Sequence, residues 1–331
     1  MFRRTLIVGA VAAALLAGCG DDSAKKTAAP AEKGTVTVGL IQLVEHPALD
    51  AAAKGIQDAV KDRGLKVKFD VQNAQADQSN LANISQRFVT QKYPLVFAIA
   101  TPAAQTIANA AKNTPVVATA VTDFVAAKLI KSNEKPGTNV TGSSDMNPVG
   151  AQLDMLMKLV PDAKTIGTIY NSSEINSQVQ VEALKKELKR YNGVTLMEGT
   201  VSSVNDVQQV AQNMVGKVQA IYLPTDNILA SSMPVLTKIT TPAKVPVITG
   251  EENMLKGGGL ATVGIDYYKL GRIAGEMGAD ILEGKSKPAD MPIRFQTEFK
   301  GRVNAQTLKQ LGMTVPDSLK SSVEVVDYSK K

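Results

Sequence analysis

The chain has 331 residues, of which 44% are hydrophobic, 21% charged and only 4% aromatic. This length suits two lobes of about 150 residues each, and the apolar content excludes disorder as the main state. A single cysteine, Cys19, excludes a disulfide scaffold, and one histidine, His46, argues against zinc sites and Cys–His or Ser–His–Asp catalysis. We therefore expect no metal and no cofactor.

The net charge of +6 does not indicate a nucleic-acid partner. The lysines are scattered along the chain, and no dense basic run contains interleaved aromatic residues. A solvated basic surface is the simpler interpretation, so no nucleic-acid binding is expected.

The first residues have the pattern of an export signal. Arg3 and Arg4 precede an apolar stretch over 6–16. That stretch is shorter than the roughly 20 residues that a membrane-spanning helix needs. It ends in Leu16-Ala17-Gly18-Cys19, which resembles a bacterial lipobox, whose cleavage leaves an acylated Cys19 as the new N-terminus. A plain secretory signal is the alternative.

The following segment, 20–34, is rich in small, charged and polar residues and has no apolar periodicity. It is typical of a tether. We predict a signal peptide over 1–18, a flexible tether over 19–34 and a folded body from Thr35. The protein is then extracytoplasmic, in the periplasm or at the cell surface, and held at the membrane by the lipid on Cys19, since more than one acyl chain gives stable anchoring.

From Thr35 onward, short apolar runs alternate with amphipathic stretches. Val36, Val38 and Leu40 indicate a strand, whereas Leu49, Ala53, Ile56 and Val60 recur at helical spacing. In chain order, strands are predicted at 35–41, 65–71, 95–100, 115–121, 139–143, 165–170, 195–201, 218–223, 245–248 and 261–265. Helices are predicted between them, including 101–112, 148–160, 175–191, 204–215, 228–239, 252–256 and 268–282.

Two consecutive series of this kind predict an α/β fold with two doubly wound parallel sheets. In such sheets ligands bind beyond the carboxyl ends of the strands, in the crevice where the strand order reverses. The candidate ligand-binding residues are therefore the polar or small residues that follow the strands. They are Gln42, His46, Asn73, Thr101, Pro102, Ala103, Thr122, Asp123, Asn171, Glu174, Thr225, Asp226, Asn227, Glu251 and Asp266.

The residue types at these positions suit an amino acid. A helix predicted to begin at Thr101 offers N–H groups to a carboxylate, together with the hydroxyls of Thr101 and Thr122. An α-ammonium needs a carboxylate partner, for which Asp226 is favoured over Asp123, Glu251 and Asp266. Thr101 and Asp226 are also suited to ordinary helix capping, and both roles are compatible.

The other candidates have weaker arguments. Asn171 and Glu174 share a polar loop that is equally typical of a turn. Gln42 and Asn73 can bond a polar side chain or close the cleft. His46 lies in the first strand-to-helix loop, where a structural role is the alternative. With no tryptophan in the chain, stacking platforms for a sugar must come from tyrosine or phenylalanine.

Seven segments, together with the lipobox, carry a family resemblance: 42–50 (QLVEHPALD), 72–75 (QNAQ), 98–105 (AIATPAAQ), 119–123 (TAVTD), 139–142 (NVTG), 222–227 (YLPTDN) and 264–268 (GIDYY). They resemble the extracytoplasmic solute-binding proteins of ABC importers, and most closely the subfamily that includes tryptophan- and tyrosine-binding lipoproteins.

This resemblance implies a type I periplasmic-binding fold, with the ligand in a cleft between two lobes. Lobe one is then 35–144 with 268–286, and lobe two is 145–267 with 287–325. The chain would cross between the lobes near Met146, Tyr267 and Pro288.

The predicted function is a receptor and not an enzyme. The resemblance implies a receptor that binds a small ligand and delivers it to an ABC permease. We expect the ligand to be a free amino acid that is aromatic or large and apolar, and the protein to be a monomer. A receptor for a sugar or nucleoside is the alternative. A secreted α/β hydrolase lacks support because no Gly-x-Ser-x-Gly motif is present. A transcription regulator of the same architecture would carry a helix-turn-helix where this chain has its signal and tether.

Overall fold

The computed structural model describes residues 34–330, so the predicted signal peptide, Cys19 and nearly all of the tether lie outside the described residues. The strands are β1 (Val36–Gln42), β2 (Val67–Asn73), β3 (Val96–Ile99), β4 (Val116–Val121), β5 (Val140–Ser144), β6 (Thr165–Asn171), β7 (Thr195–Val201), β8 (Ala220–Leu223), β9 (Val247–Thr249), β10 (Ala261–Gly264), β11 (Arg294–Phe295), β12 (Lys300–Asn304) and β13 (Val323–Val326).

The α-helices alternate with these strands through most of the chain. They are α1 (Pro47–Asp62), α2 (Gln78–Thr90), α3 (Thr101–Ala110), α4 (Val149–Leu159), α5 (Ile175–Leu188), α6 (Val204–Met214), α7 (Asn227–Thr240), α8 (Asn253–Lys256), α9 (Tyr267–Leu282), α10 (Ala305–Leu311) and α11 (Asp317–Lys320). Across residues 34–330, no helix combines the length and apolar character that crossing a membrane requires.

The first sheet has the strand order β11-β5-β4-β3-β1-β2, and all of its pairs are parallel. β3 lies in the interior of the sheet and is buried along its whole length, as the continuous apolar run at 95–100 predicts. β2 lies at the edge, which agrees with its alternation of apolar and charged residues. The parallel α/β sheet predicted for lobe one is confirmed.

Helices α1 and α9 pack closely on lobe one because glycines let their backbones approach. A Cβ atom at Gly55 would collide with the carbonyl oxygen of Tyr268, and one at Gly271 would collide with that of Ala52. Leu270, Ala274 and Met277 of α9 join the lobe-one core. This contact packs α9 against the first lobe.

The second sheet has the order β13-β12-β10-β9-β8-β6-β7. Its pairs are parallel except for β10 with β12, which run antiparallel. Two apolar clusters cover its faces, one around Leu153, Leu156 and Leu184 and the other around Val207 and Leu229. The fold is therefore two α/β lobes on largely parallel sheets, as predicted.

The structure places the first nine residues after 286 differently from the prediction, which assigned them to lobe two. Residues 287–295 remain with lobe one: β11 pairs with β5, and Thr141 donates to the carbonyl of Met291. Met291 and Ile293 are buried in the lobe-one core, and this burial explains the placement. The third crossing consequently lies at 296–299 and not near Pro288, whereas the first two follow Ser144 and Gly264, close to the predicted positions.

Candidate functional site

Residues from both lobes meet around a small buried cavity, which we call the central cavity. Its volume is about 10 Å³, roughly the space for one water molecule. The lining residues are His46, Leu49, Ala120, Thr122, Asp145, Asn176, Thr225, Asp226, Asn227, Ala230, Glu251 and Tyr267. Thr122 and Asp145 directly follow strands of the first sheet, and Thr225, Asp226 and Glu251 lie two or three residues after strands of the second, so the carboxyl edges of both sheets converge here.

Hydrogen bonds between side chains connect the two lobes at this cavity. The ring Nε2 of His46 in lobe one lies 3.4 Å from Oδ1 of Asn227 in lobe two. Gln180 of α5 donates to Thr122 Oγ1 over 3.4 Å and also to Thr225 Oγ1. These contacts depend on the lobes being close together, so they favour a closed cleft.

An asparagine-rich network surrounds Glu174 on lobe two. The side-chain amides of Asn171, Asn176 and Asn227 donate to its carboxylate at 3.3, 2.9 and 2.5 Å. Burial, together with the nearby charge of Asp226, raises the pKa of Glu174. The amide donors hold this side chain in one orientation at the entrance to α5.

Asp226 connects the starts of two helices to the end of β6. One oxygen accepts from the backbone N–H of Asn171 at 2.6 Å and from Ser177 Oγ at 2.7 Å. The other accepts from the backbone N–H of Leu229 at 3.0 Å and so caps α7. Burial raises the pKa of Asp226, and these donors act in the opposite direction.

The lining is acidic and has no cationic side chain. Asp145, Asp226 and Glu251 contribute carboxyl groups, and neither lysine nor arginine is among the described residues that line the central cavity. Burial raises the pKa of Asp145, and raises that of Glu251 to about 7. Burial also lowers the pKa of His46 to about 4. A bound cation would therefore restore the charged form of a buried carboxylate.

Metal binding is not indicated by this geometry. Within residues 34–330, no group of three or more His, Cys, Asp or Glu side chains is arranged to hold a metal ion.

A second, larger pocket lies beside the central cavity and opens to solvent. Its volume is about 480 Å³, and both lobes line it through Leu43, Ala76, Gln78, Pro102, Gln105, Thr106, Asn109, Asn171, Ser173, Glu174, Ser202 and Ile228. Glu174 bonds to Asn176 and Asn227 of the central cavity, so the two spaces are neighbours. We call this space the outer pocket.

The structure brings together most of the residues predicted from strand ends. His46, Thr122, Thr225, Asp226, Asn227 and Glu251 line the central cavity, and Pro102, Asn171 and Glu174 line the outer pocket. Thr101 and Ala103 are buried in the first turn of α3. Thr101 Oγ1 has no hydrogen-bond partner among the described residues, and Ala100 before it adopts φ 84°, a conformation rare outside glycine.

Besides Thr101 and Ala103, four predicted residues line neither the central cavity nor the outer pocket. Gln42 donates to Asp50 and to the carbonyl of Val44. Asn73 and Asp123 accept from backbone N–H groups two or three residues further along their own loops. Asp266 is exposed and caps α9 through the N–H of Lys269. Their side chains form hydrogen bonds close to their own loops, and a role for them in ligand binding stays a prediction.

Several residues that line the central cavity, or bond to its lining as Gln180 does, were not among the sequence candidates. Asp145 follows β5 and accepts from Thr122 at 2.8 Å and from Tyr267 at 2.6 Å. Asn176 and Gln180 lie on the first turns of α5 and not in a strand-end loop. Examining the end of every strand would have identified Asp145, whereas Asn176 and Gln180 require the helix face to be known.

A family described as "ABC transporter substrate binding protein" matches residues 37–326. The chain belongs to this family. Its members are solute receptors, which confirms the prediction that the protein is not an enzyme. The predicted resemblance and the type I periplasmic-binding fold are confirmed as well.

Named relatives cover nearly the whole chain. A tyrosine-binding protein of Clostridioides difficile (strain R20291) is 41% identical over 333 residues, which is 98% of this chain and 94% of the relative. A structure from Streptococcus pneumonia, described as an ABC domain in complex with L-Trp, is 39% identical with a TM-score of 0.85. The match covers 88% of this chain and 100% of that one.

A comparison with a ligand-free relative indicates how the two lobes of this chain are arranged. A ligand-free, open substrate-binding protein with adhesive properties from Clostridium difficile is 44% identical, with coverage of 88% and 99%, yet its TM-score is 0.67. The L-Trp complex is less identical in sequence but superposes better, at 0.85. The lobes of this chain are therefore arranged more like those of the complex than those of the open protein.

Proposed function

We propose that this protein binds a free α-amino acid with an aromatic or large apolar side chain between its lobes and delivers it to an ABC permease. The observation that carries the proposal is the central cavity, lined by buried carboxylates without a cationic partner. The ligand's ammonium supplies the missing positive charge, and charge-assisted hydrogen bonds to carboxylates are the stronger kind. The tyrosine and tryptophan ligands of the relatives support the same class.

The ligand's carboxylate has a complementary position on lobe one. The N–H groups in the first turn of α3 have no intrahelical acceptor, and the helix dipole favours an anion there. The buried Thr101 hydroxyl, which has no partner among residues 34–330, is a further donor for it. Because the central cavity is so small, an amino acid enters only when the lobes separate. Closure around the ligand then gives the conformation that a permease recognises.

Direct binding tests this function. Because the protein contains no tryptophan, indole fluorescence excited at the red edge reports only on added L-tryptophan. We expect its emission to shift on mixing, and calorimetry to give dissociation constants of about micromolar or tighter, near −8 kcal/mol, for L-tryptophan or L-tyrosine. The affinities for phenylalanine and leucine, measured in the same way, then rank the preference for the ligand's side chain. Binding of a sugar or nucleoside, with no amino acid binding below roughly millimolar, would reject the amino-acid assignment.

Membrane attachment through Cys19 is a separate proposal, supported by the sequence Leu16-Ala17-Gly18-Cys19. Cys19→Ser should abolish incorporation of a labelled fatty acid, and the protein should leave the membrane fraction or remain unprocessed. Ser23→Ala, in the adjacent tether, is the matched control and should stay membrane-bound and labelled. Retention and normal processing of Cys19→Ser would contradict lipidation. We also expect a monomer, to be checked by light scattering.

A further inference from the structure

The carboxylates that line the central cavity differ in how many of their oxygens are already engaged. Both oxygens of Asp145 accept hydrogen bonds, from Thr122 and Tyr267. Both oxygens of Asp226 also accept, from the donors at the ends of β6, α5 and α7 described above. These two side chains are therefore committed to protein donors.

Glu251 is different. Its Oε2 accepts from the backbone N–H of Asn253 at 2.6 Å and from the Asn253 side chain at 3.1 Å. Glu251 is only 2% exposed, so water does not reach its Oε1 freely. Even so, this oxygen has no hydrogen-bond donor among residues 34–330. An acceptor on a buried carboxylate is rarely left without a donor in a stable protein.

Two other lining residues present acceptors of the same kind. Asn176 Nδ2 donates to the carbonyl of Thr225 at 3.1 Å, which fixes the orientation of the amide and leaves Oδ1 as an acceptor. Asn227 Nδ2 donates to Glu174, so its Oδ1 accepts from His46 Nε2, and the ring proton lies on Nε2. His46 Nδ1 is then an acceptor. Neither Asn176 Oδ1 nor His46 Nδ1 has a partner in the described part of the chain.

We propose that Glu251 Oε1, Asn176 Oδ1 and His46 Nδ1 together bind the ligand's primary ammonium, while Asp226 supports the fold of the site. A primary ammonium has three N–H donors, which equals the number of unpartnered acceptors on residues lining this one small cavity. Glu251 supplies the negative charge, and the two neutral acceptors set the direction of the remaining N–H groups. This inference rests on the proposed function and assigns the residues that recognise the amine.

The test compares L-tryptophan with indole-3-propionate, which lacks the amine, by calorimetry at neutral pH. We expect the wild-type protein to prefer the amino acid at least a hundredfold, and Glu251→Gln to reduce this preference at least tenfold. Glu252→Gln is the matched control, because Glu252 lies next in sequence, pairs with Arg302 at 2.8 Å and does not line the central cavity. Its preference should equal that of the wild type.

Asp226→Asn distinguishes the competing assignment. It should keep the preference for the amine within a few fold, even though its thermal stability falls. If Asp226→Asn loses the preference and Glu251→Gln retains it, the assignment to Glu251 is wrong. Binding of neither L-tryptophan nor another amino acid by the wild-type protein would reject the proposed function itself.

A second measurement needs no variant. N-methyl-L-tryptophan keeps the positive charge but lacks one N–H donor, so the wild-type protein should bind it at least tenfold more weakly than L-tryptophan. Equal affinities would overturn the three-acceptor arrangement, since charge alone would then account for recognition.

Discussion

Replacing Asp226 by alanine is expected to lower the free energy of unfolding by about 3–5 kcal/mol. The change removes the acceptors for the N–H groups of Asn171 and Leu229 and for the Ser177 hydroxyl, all of which are in buried residues. Each buried donor left unpaired costs about 1–3 kcal/mol, and the α7 cap is lost as well. Thermal denaturation should show a melting temperature lower by roughly 5–15 °C.

Asp226→Asn is a control that should lose only part of this stability. One amide oxygen can replace one of the two carboxylate oxygens, whereas the NH2 group faces a donor instead of an acceptor. The melting temperature of Asp226→Asn should therefore fall between those of the wild type and Asp226→Ala. A melting temperature of Asp226→Ala within a degree of wild type would show that these hydrogen bonds contribute nothing measurable to the fold.

The strands and helices up to residue 282 were predictable because their own residues carry the signal. The run at 95–100 is apolar enough to identify the interior strand β3, and the Gly64 turn, with φ 71°, marks the end of α1. Strands β11 and β12 carry no comparable signal. β11 is two exposed residues, and β12 begins with Lys300, so both owe their pairing to neighbouring strands brought close by the rest of the fold.

The strand-end rule identified His46, Thr122, Asp226 and Glu251 because parallel strands deliver their carboxyl ends to one edge. It did not predict the direction of each side chain. Asp123 follows its strand in the same way, but bonds to its own loop. That outcome depends on local turn geometry, which residue type alone does not specify.

The sequence does contain a signal for the positions of Asn176 and Gln180. They lie at four-residue spacing with Leu184 and Leu188 of α5, and all four are buried on one helix face. A polar start to an otherwise apolar stripe indicates that the face leaves the core and enters a polar site. The unpartnered oxygen of Asn176, by contrast, is visible only once its neighbours are known.

Ligand affinity is expected to fall about 30-fold between roughly pH 8 and pH 5 through the titration of His46. Burial in the closed form lowers the pKa of His46 to about 4 from an ordinary value of 6.5. Opening of the cleft is expected to expose the imidazole, which then gains a proton below its ordinary pKa and must lose that proton before the cleft closes. Protonation of His46 therefore leaves closure unaffected at high pH. As the pH falls from the ordinary pKa towards the lowered one, it disfavours closure increasingly. Calorimetry with L-tryptophan across this range measures the change.

His46→Gln separates this effect from titration of the cavity carboxyls. The glutamine amide can still donate to Asn227 Oδ1 across the cleft, but it does not titrate. The variant should bind more weakly than wild type at high pH, because an amide whose nitrogen faces Asn227 does not place its oxygen at the position of the imidazole Nδ1 acceptor. Its affinity should then fall by no more than a few fold on acidification, which reflects the carboxyl groups alone. If the ligand affinities of the wild type and of His46→Gln fall in parallel on acidification, His46 does not couple protonation to closure.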